Sequence, residues 1–179
     1  MSGLPLVLDA AGLGALASAY PPETLRALLA EASRRSREVI APTLVCAEVA
    51  RGRSRTRALE GAVSQHRREH GERPALRLVD TDFALARQVG AILEASGAGR
   101  DRVVDAHVVA VCVPAGGGLV VTSDPDDIAG LAAAVPAARI RTTRLTRPTD
   151  IGRRSSSRDV GTHPGTSLGT YLWTEQGLK

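Results

Sequence analysis

The sequence predicts an α/β fold, a three-layer α/β/α sandwich with a central, mostly parallel sheet. Two observations carry this. Short apolar runs alternate with helix-like stretches along residues 4–142, the signature of a parallel sheet covered on both faces. Of the 179 residues 43% are apolar but only 2% aromatic, so Ala, Val and Leu must fill the core, which suits helices packed closely on a sheet.

The elements follow in order. Leu4 to Leu8 is an apolar strand ending at Asp9, and Gly12 to Ala19 reads as a small-residue helix. Pro21-Pro22-Glu23 opens a second helix to about Ser33, because Pro is tolerated in a first turn and an early Glu suits the helix dipole. Val39 to Ala41 is a brief strand, and Pro42-Thr43 starts a helix that carries Glu48 and ends near Arg51-Gly52. Residues 53–73 are polar and basic, with Leu59 and Val63 on one helical face. Leu76 to Val79 is a strand and Thr81 to Ser96 a helix. Asp101 reads as the cap of the next helix, which contains Asp105 and runs to about Val113. Gly116-Gly117-Gly118 turns into the strand Leu119 to Thr122, Asp126 to Ala134 is a short helix, and Arg139 to Thr142 an edge strand. Residues 1–142 thus form the domain. Residues 143–179, basic and rich in Gly, Ser and Thr, are expected to be a disordered tail, with Tyr171-Leu172-Trp173 its one apolar segment.

A net charge of +4 and a pI near 9.8, most of it from Arg, suit a polyanionic partner, although an Arg-rich surface alone would give the same balance. Cys46 and Cys112 lie in apolar helical patterns without CxxC spacing and read as buried hydrophobes in a reducing cytosol. Leu13 to Ala19 ends like a signal-peptide cleavage site, but no Lys or Arg precedes it and Asp9 interrupts the run. No apolar run approaches a membrane span, so the expected location is cytoplasmic, without membrane association. A Gly-Lys-Ser/Thr phosphate loop, a GxGxxG turn after a strand, a GxSxG elbow and His-based metal motifs are all missing from the sequence.

Four acids sit where burial would be costly: Asp9, Glu48, Asp105 and Asp124, each in or at the end of an apolar stretch. A buried carboxylate is tolerated only when paired, hydrogen-bonded or metal-bound, and no cation adjoins Asp9, Glu48 or Asp124 in sequence. Convergence on one site explains all four, and the economical occupant is a hard divalent cation, Mg²⁺ or Mn²⁺. Asp9 follows a strand, where open parallel sheets build their sites. Its alternative role, capping the next helix, is weakened by the two alanines before Gly12. Glu48 has Leu44, Val45, Ala47 and Val49 around it and little polar face, though a solvated face is the plain alternative. Asp105 lies on a helix apolar all round, where His107 reads as a core or surface imidazole. In Asp124-Pro125-Asp126-Asp127, Asp124 is assigned to the site, Asp126 is a second-line ligand and Asp127 belongs to the helix terminus. Which of Asp124 and Asp126 is the principal acid stays open. Thr122 and Ser123 could orient a carboxylate or water, or simply cap backbone.

These residues resemble the PIN-domain ribonucleases, specifically VapC-type toxins of toxin–antitoxin pairs. The resemblance rests on Leu6-Val7-Leu8-Asp9, Pro42-Thr43-Leu44-Val45-Cys46-Ala47-Glu48-Val49, Asp105-Ala106-His107-Val108-Val109-Ala110 and Val121-Thr122-Ser123-Asp124-Pro125-Asp126-Asp127-Ile128, in that order across residues 4–142. It departs from many relatives in having Ala10 and Ala11 where a Ser or Thr shortly follows the first acid. The resemblance implies an Mg²⁺- or Mn²⁺-dependent endoribonuclease with Asp9, Glu48, Asp105 and Asp124 as catalytic acids. Asp9, Asp105, Asp124 and Asp126 would be the metal ligands. Water would attack in line, leaving 5′-phosphate and 3′-hydroxyl ends. It further implies a homodimer and a cognate antitoxin that inserts a segment into the acidic site. Arg51, Arg53, Arg55, Arg57, Arg67 and Arg68 would guide the RNA backbone, or else form a solvated helix face. Other readings are a PIN-type RNA-processing nuclease without a toxin role and a catalytically silent binding module, the latter disfavoured by four retained acids. A haloacid-dehalogenase-type phosphatase is rejected, since Ala11 stands where a second Asp is needed.

Overall fold

The computed structural model describes residues 3–66 and 75–145. Five strands form one all-parallel sheet in the order β3-β2-β1-β4-β5. They are β1 (Leu6–Leu8), β2 (Val39–Pro42), β3 (Leu76–Val79), β4 (Gly117–Thr122) and β5 (Arg139–Arg144). Val7 pairs in register with Ile40 on one side and Val120 on the other, so β1 is the central strand. All of Leu6, Val7 and Leu8 are buried, which is why this run carries no alternation of polar residues.

The chain steps from β1 to β2 and β3 in one direction, then crosses to β4 and β5 in the other. Parallel crossovers share one hand, so reversing the direction of travel places the connecting helices on opposite faces. In one layer α1 (Ala10–Leu16) packs with α2 (Glu23–Arg34), α3 (Thr43–Val49) and α4 (Arg53–His66). In the other, α6 (Val103–Ala110) packs with α5 (Phe83–Ser96) and α7 (Pro125–Ala132). The sandwich is therefore as expected, and its sheet is wholly parallel. The reversal also creates a switch point between the carboxyl ends of β1 and β4, where open α/β sheets place their sites.

The core is aliphatic: Leu8, Leu13, Leu25, Ile40, Ile92, Ile128 and a set of valines are fully buried. Small residues let the layers approach closely. A Cβ on Gly118 would lie 2.9 Å from Cys112 Sγ and 3.1 Å from Val7 Cγ2. Cys112 is buried and its thiol is pushed up to about 12 by desolvation; Cys46 is also raised by burial. Both are free thiols poorly suited to nucleophilic chemistry.

Several boundaries differ from the sequence reading. α1 begins at Ala10, directly after Asp9, because the Asp9 carboxylate caps it. Asp101 does not cap α6: a 3₁₀ turn, Arg100–Arg102, intervenes, α6 has no side-chain cap, and the Asp101 carboxylate folds back over Gly99. Gly117 and Gly118 belong to β4, whose first residue has φ 142° and lies against the Arg139 backbone. β5 continues to Arg144, and Leu145 beyond it is buried. The tail residues 146–179, including Tyr171 and Trp173, lie outside the described residues.

Candidate active site at the carboxyl ends of the central strands

Asp9 directly follows β1 and is only 7% exposed. Its Oδ1 accepts the Gly12 N–H at 2.7 Å, so the carboxylate is at once a helix cap and a buried charge. Gly12 makes this possible, because a Cβ there would lie 2.9 Å from the Val121 carbonyl oxygen. Thr122, buried at the end of β4, lies against Asp9. Its Oγ1 also accepts the Asp124 N–H at 2.9 Å, tying the two strand ends together. Burial raises the Asp9 pKa; the Thr122 hydroxyl and the N–H groups of Gly12 and Ala11 partly offset this, and the charge of Asp105 adds to it.

Asp105 sits in the first turn of α6 with its side chain about one-third exposed. Desolvation raises its pKa in spite of Arg102, whose Nη1 donates to Asp105 Oδ2 at 3.1 Å. The charges of Asp127 and Asp124 raise it further. Asp124 is the exposed N-cap of α7, its Oδ1 accepting the Asp127 N–H at 3.4 Å. Three of the four predicted acids, Asp9, Asp105 and Asp124, thus belong to one electrostatically connected group.

The fourth, Glu48, is partly buried near the end of α3, which packs on α1 and α6. It has neither hydrogen bond nor ion pair among the described residues, and it does not figure among the groups acting on Asp9 or Asp105. Asp126 faces away from the group: its side chain is 94% exposed, with Arg144 at 3.9 Å. Ser123 is exposed, and its carbonyl accepts from Arg144 Nη1 at 3.1 Å. His107 is buried, its Nδ1 bonded to the Val103 carbonyl at 2.8 Å, as suits a core imidazole.

Oxygen donors of this kind suit a hard divalent cation, and a cation would relieve the mutual repulsion of Asp9, Asp105 and Asp124. Among the described residues, however, no three His, Cys, Asp or Glu side chains stand together closely enough to hold an ion. The donor set fits Mg²⁺ or Mn²⁺ in chemistry, with the acids drawn apart and a guanidinium on one of them.

A profile of the PIN domain matches residues 14–133. The chain belongs to the PIN domain family. PIN domains are typically nucleases and generally use divalent metal ions. The matched span includes Glu48, Asp105 and Asp124, while Asp9 lies just before it. No curated protein matches the chain. Among solved structures, a chain of the crystal structure of VapBC2 from Rickettsia felis bound to a DNA fragment from their promoter has the same fold. It superposes with a TM-score of 0.52 at 13% identity, covering 77% of this chain and 98% of that one.

Two residues beside Asp105 were not placed there from the sequence: Arg102 was not considered, and Asp127 was assigned only to the helix terminus. Arg102 makes a bidentate pair with Asp127, both Nη atoms facing the carboxylate, while also reaching Asp105. That pairing holds the Asp127 carboxyl below its usual range and raises the guanidinium. Helical spacing could have flagged Asp127, since residues three apart share a face and Asp124 is already assigned to the site. Of the predicted RNA-guiding residues, Arg51, Arg53, Arg55 and Arg57 are exposed at the start of α4 and just before it, without ion pairs among the described residues. Arg67 and Arg68 lie outside the described residues. No helix of the described residues is long and apolar enough to cross a membrane.

Proposed function

We propose that this PIN domain is an Mg²⁺- or Mn²⁺-dependent endoribonuclease, the cytoplasmic toxin of a toxin–antitoxin pair, acting as a homodimer. One observation supports the reading: Asp9 and Asp105, from distant parts of the chain, are both held above the ordinary carboxylate range, chiefly by burial, with the charge of Asp105 adding to the effect on Asp9 and that of Asp124 to the effect on Asp105. Carboxylates perturbed by burial and by neighbouring acids are concentrated at functional sites. The fold likeness to a chain of the VapBC2 complex supports the toxin assignment, with an antitoxin as partner.

In this reading Asp9, Asp105 and Asp124 are the principal metal-binding acids, with Glu48 the fourth catalytic carboxylate and Asp126 at the rim. Bound Mg²⁺ or Mn²⁺ would supply an activated water and offset charge on the scissile phosphate. The protein's own part is positional. The Gly12 N–H fixes the rotation of the Asp9 carboxylate, and Thr122 braces it while holding the backbone of Asp124. Burial keeps water away from Asp9 and so strengthens its attraction for a cation. The exposed arginines of residues 51–57 attract the RNA backbone, and the scarcity of aromatics leaves base stacking a minor role. The nuclease domain spans residues 1–142 together with the end of β5 and the buried Leu145, and the rest of the chain is an appendage.

The test is incubation of the purified full chain with a mixed pool of single-stranded RNA, in Mg²⁺ or Mn²⁺ and in EDTA. Cleavage in either metal that EDTA abolishes supports the reading. A folded protein that cuts no RNA in either metal would leave the chain as a binding module.

A further inference from the structure

Arg102 lies on the 3₁₀ turn before α6 and has two acidic partners on different elements. Asp127 of α7 takes both terminal nitrogens, and Asp105 Oδ2 shares Nη1 at 3.1 Å. All three side chains are about one-third exposed, so the triad is partly shielded from screening ions. Among the described residues Arg102 is the one cation paired with Asp105; Arg144 serves the outlying Asp126. A carboxylate oxygen engaged by a guanidinium is less available to a divalent ion, and a resident positive charge repels the ion.

We propose that Arg102 is a positioning residue that sets the metal affinity of the site. It is a tethered cation that competes with the divalent ion for Asp105, and Asp127 is the anchor that draws it aside. The proposal rests on the metal-dependent reading above. Arg102 holds the Asp105 carboxylate through Oδ2 and has a separate bidentate hold on Asp127, so it would stay anchored to Asp127 if a divalent ion were held by Asp105. Without Asp127, the whole charge of Arg102 would fall on Asp105.

The experiment measures Mn²⁺ affinity of the full chain by calorimetry and by electron paramagnetic resonance of the free ion. Arg102→Met is expected to bind Mn²⁺ about tenfold more tightly than wild type, since a like charge close to the ion is removed at a partly exposed site. Arg102→Gln serves if the Met variant does not fold. Arg102→Lys keeps the charge and is expected to remain near wild type, while Asp127→Asn binds more weakly. A mere staple between α6 and α7 would lower the melting temperature without tightening Mn²⁺ binding, so unchanged or weaker affinity in both neutral variants overturns the proposal. Asp105→Asn separates the two claims. If it loses Mn²⁺ while Arg102→Met gains nothing, only the role of Arg102 falls. If Asp105→Asn binds Mn²⁺ as wild type does, the metal site at Asp105 falls and the proposal with it.

Discussion

Burial raises the proton affinity of Asp9, the cap of α1, and the charge of Asp105, at the start of α6, adds to it. The two acids belong to helices of the layers on opposite faces of the sheet. A fold stabilised for its own sake would keep like charges apart, and this supports placing the proposed site at the two acids.

The first prediction concerns pH. Burial raises the folded-state pKa of Asp9 above its ordinary value of 3.8, so the native state binds this proton more tightly than the unfolded chain. The stabilising contribution of protonated Asp9 is fully present below the unfolded value and is lost as pH rises through the folded one. Asp9→Asn keeps a good cap without the charge. It should melt a few degrees higher than wild type at pH 7 while losing RNA cleavage, and thermal melts from pH 3 to 8 should show a flatter acid-side slope. A lower melting temperature for Asp9→Asn at pH 7 would contradict this.

Gly12 links packing to the site. Adding one methyl would drive a Cβ to 2.9 Å from the Val121 carbonyl and displace the N–H that holds Asp9. Gly12→Ala is expected to destabilise the fold by about 1–3 kcal/mol, the usual range for overpacking, and to lower cleavage in the surviving folded fraction. Denaturant titration and single-turnover cleavage check the two effects separately.

Glu48 is the acid whose role geometry supports least, being unpartnered among the described residues and only partly buried. As the fourth carboxylate, Glu48→Gln should reduce cleavage at least about tenfold without changing the melting temperature. Undiminished cleavage would remove Glu48 from the site.

The exposed arginines give a prediction in salt. Replacing Arg53, Arg55 and Arg57 by Gln should weaken RNA binding across sequences and lower the slope of log affinity against log salt by roughly 0.7 for each phosphate that is no longer neutralised. The fold should be unaffected, since all three side chains are exposed. An unchanged slope would make this stretch a solvated helix face.

How far the sequence was legible depended on the range of the interactions involved. The strands at Leu6–Leu8 and Leu76–Val79 follow directly from short apolar runs, and the acids at strand ends or on apolar helices stand out because burial is unfavourable for them. Local capping was harder. Asp9 caps a helix starting at Ala10, a start that two alanines did not announce, and Asp101 looks like a cap but is separated from α6 by a 3₁₀ turn. The Arg102–Asp127 pair was invisible, because it joins residues that become neighbours only once α6 and α7 pack together. Position after a strand suggested Asp126 as a metal ligand; in the fold its side chain is 94% exposed near Arg144, and it is Asp127 whose charge acts on Asp105.

The most direct test of the central claim is RNA cleavage by Asp105→Asn beside wild type, in Mg²⁺ and Mn²⁺, with circular dichroism on both. Asn preserves the shape and removes the charge at a partly exposed position, so the spectra should coincide while cleavage disappears. Full cleavage by a folded Asp105→Asn protein would contradict a carboxylate-centred metal site, and an unfolded variant would make Asp105 a structural residue.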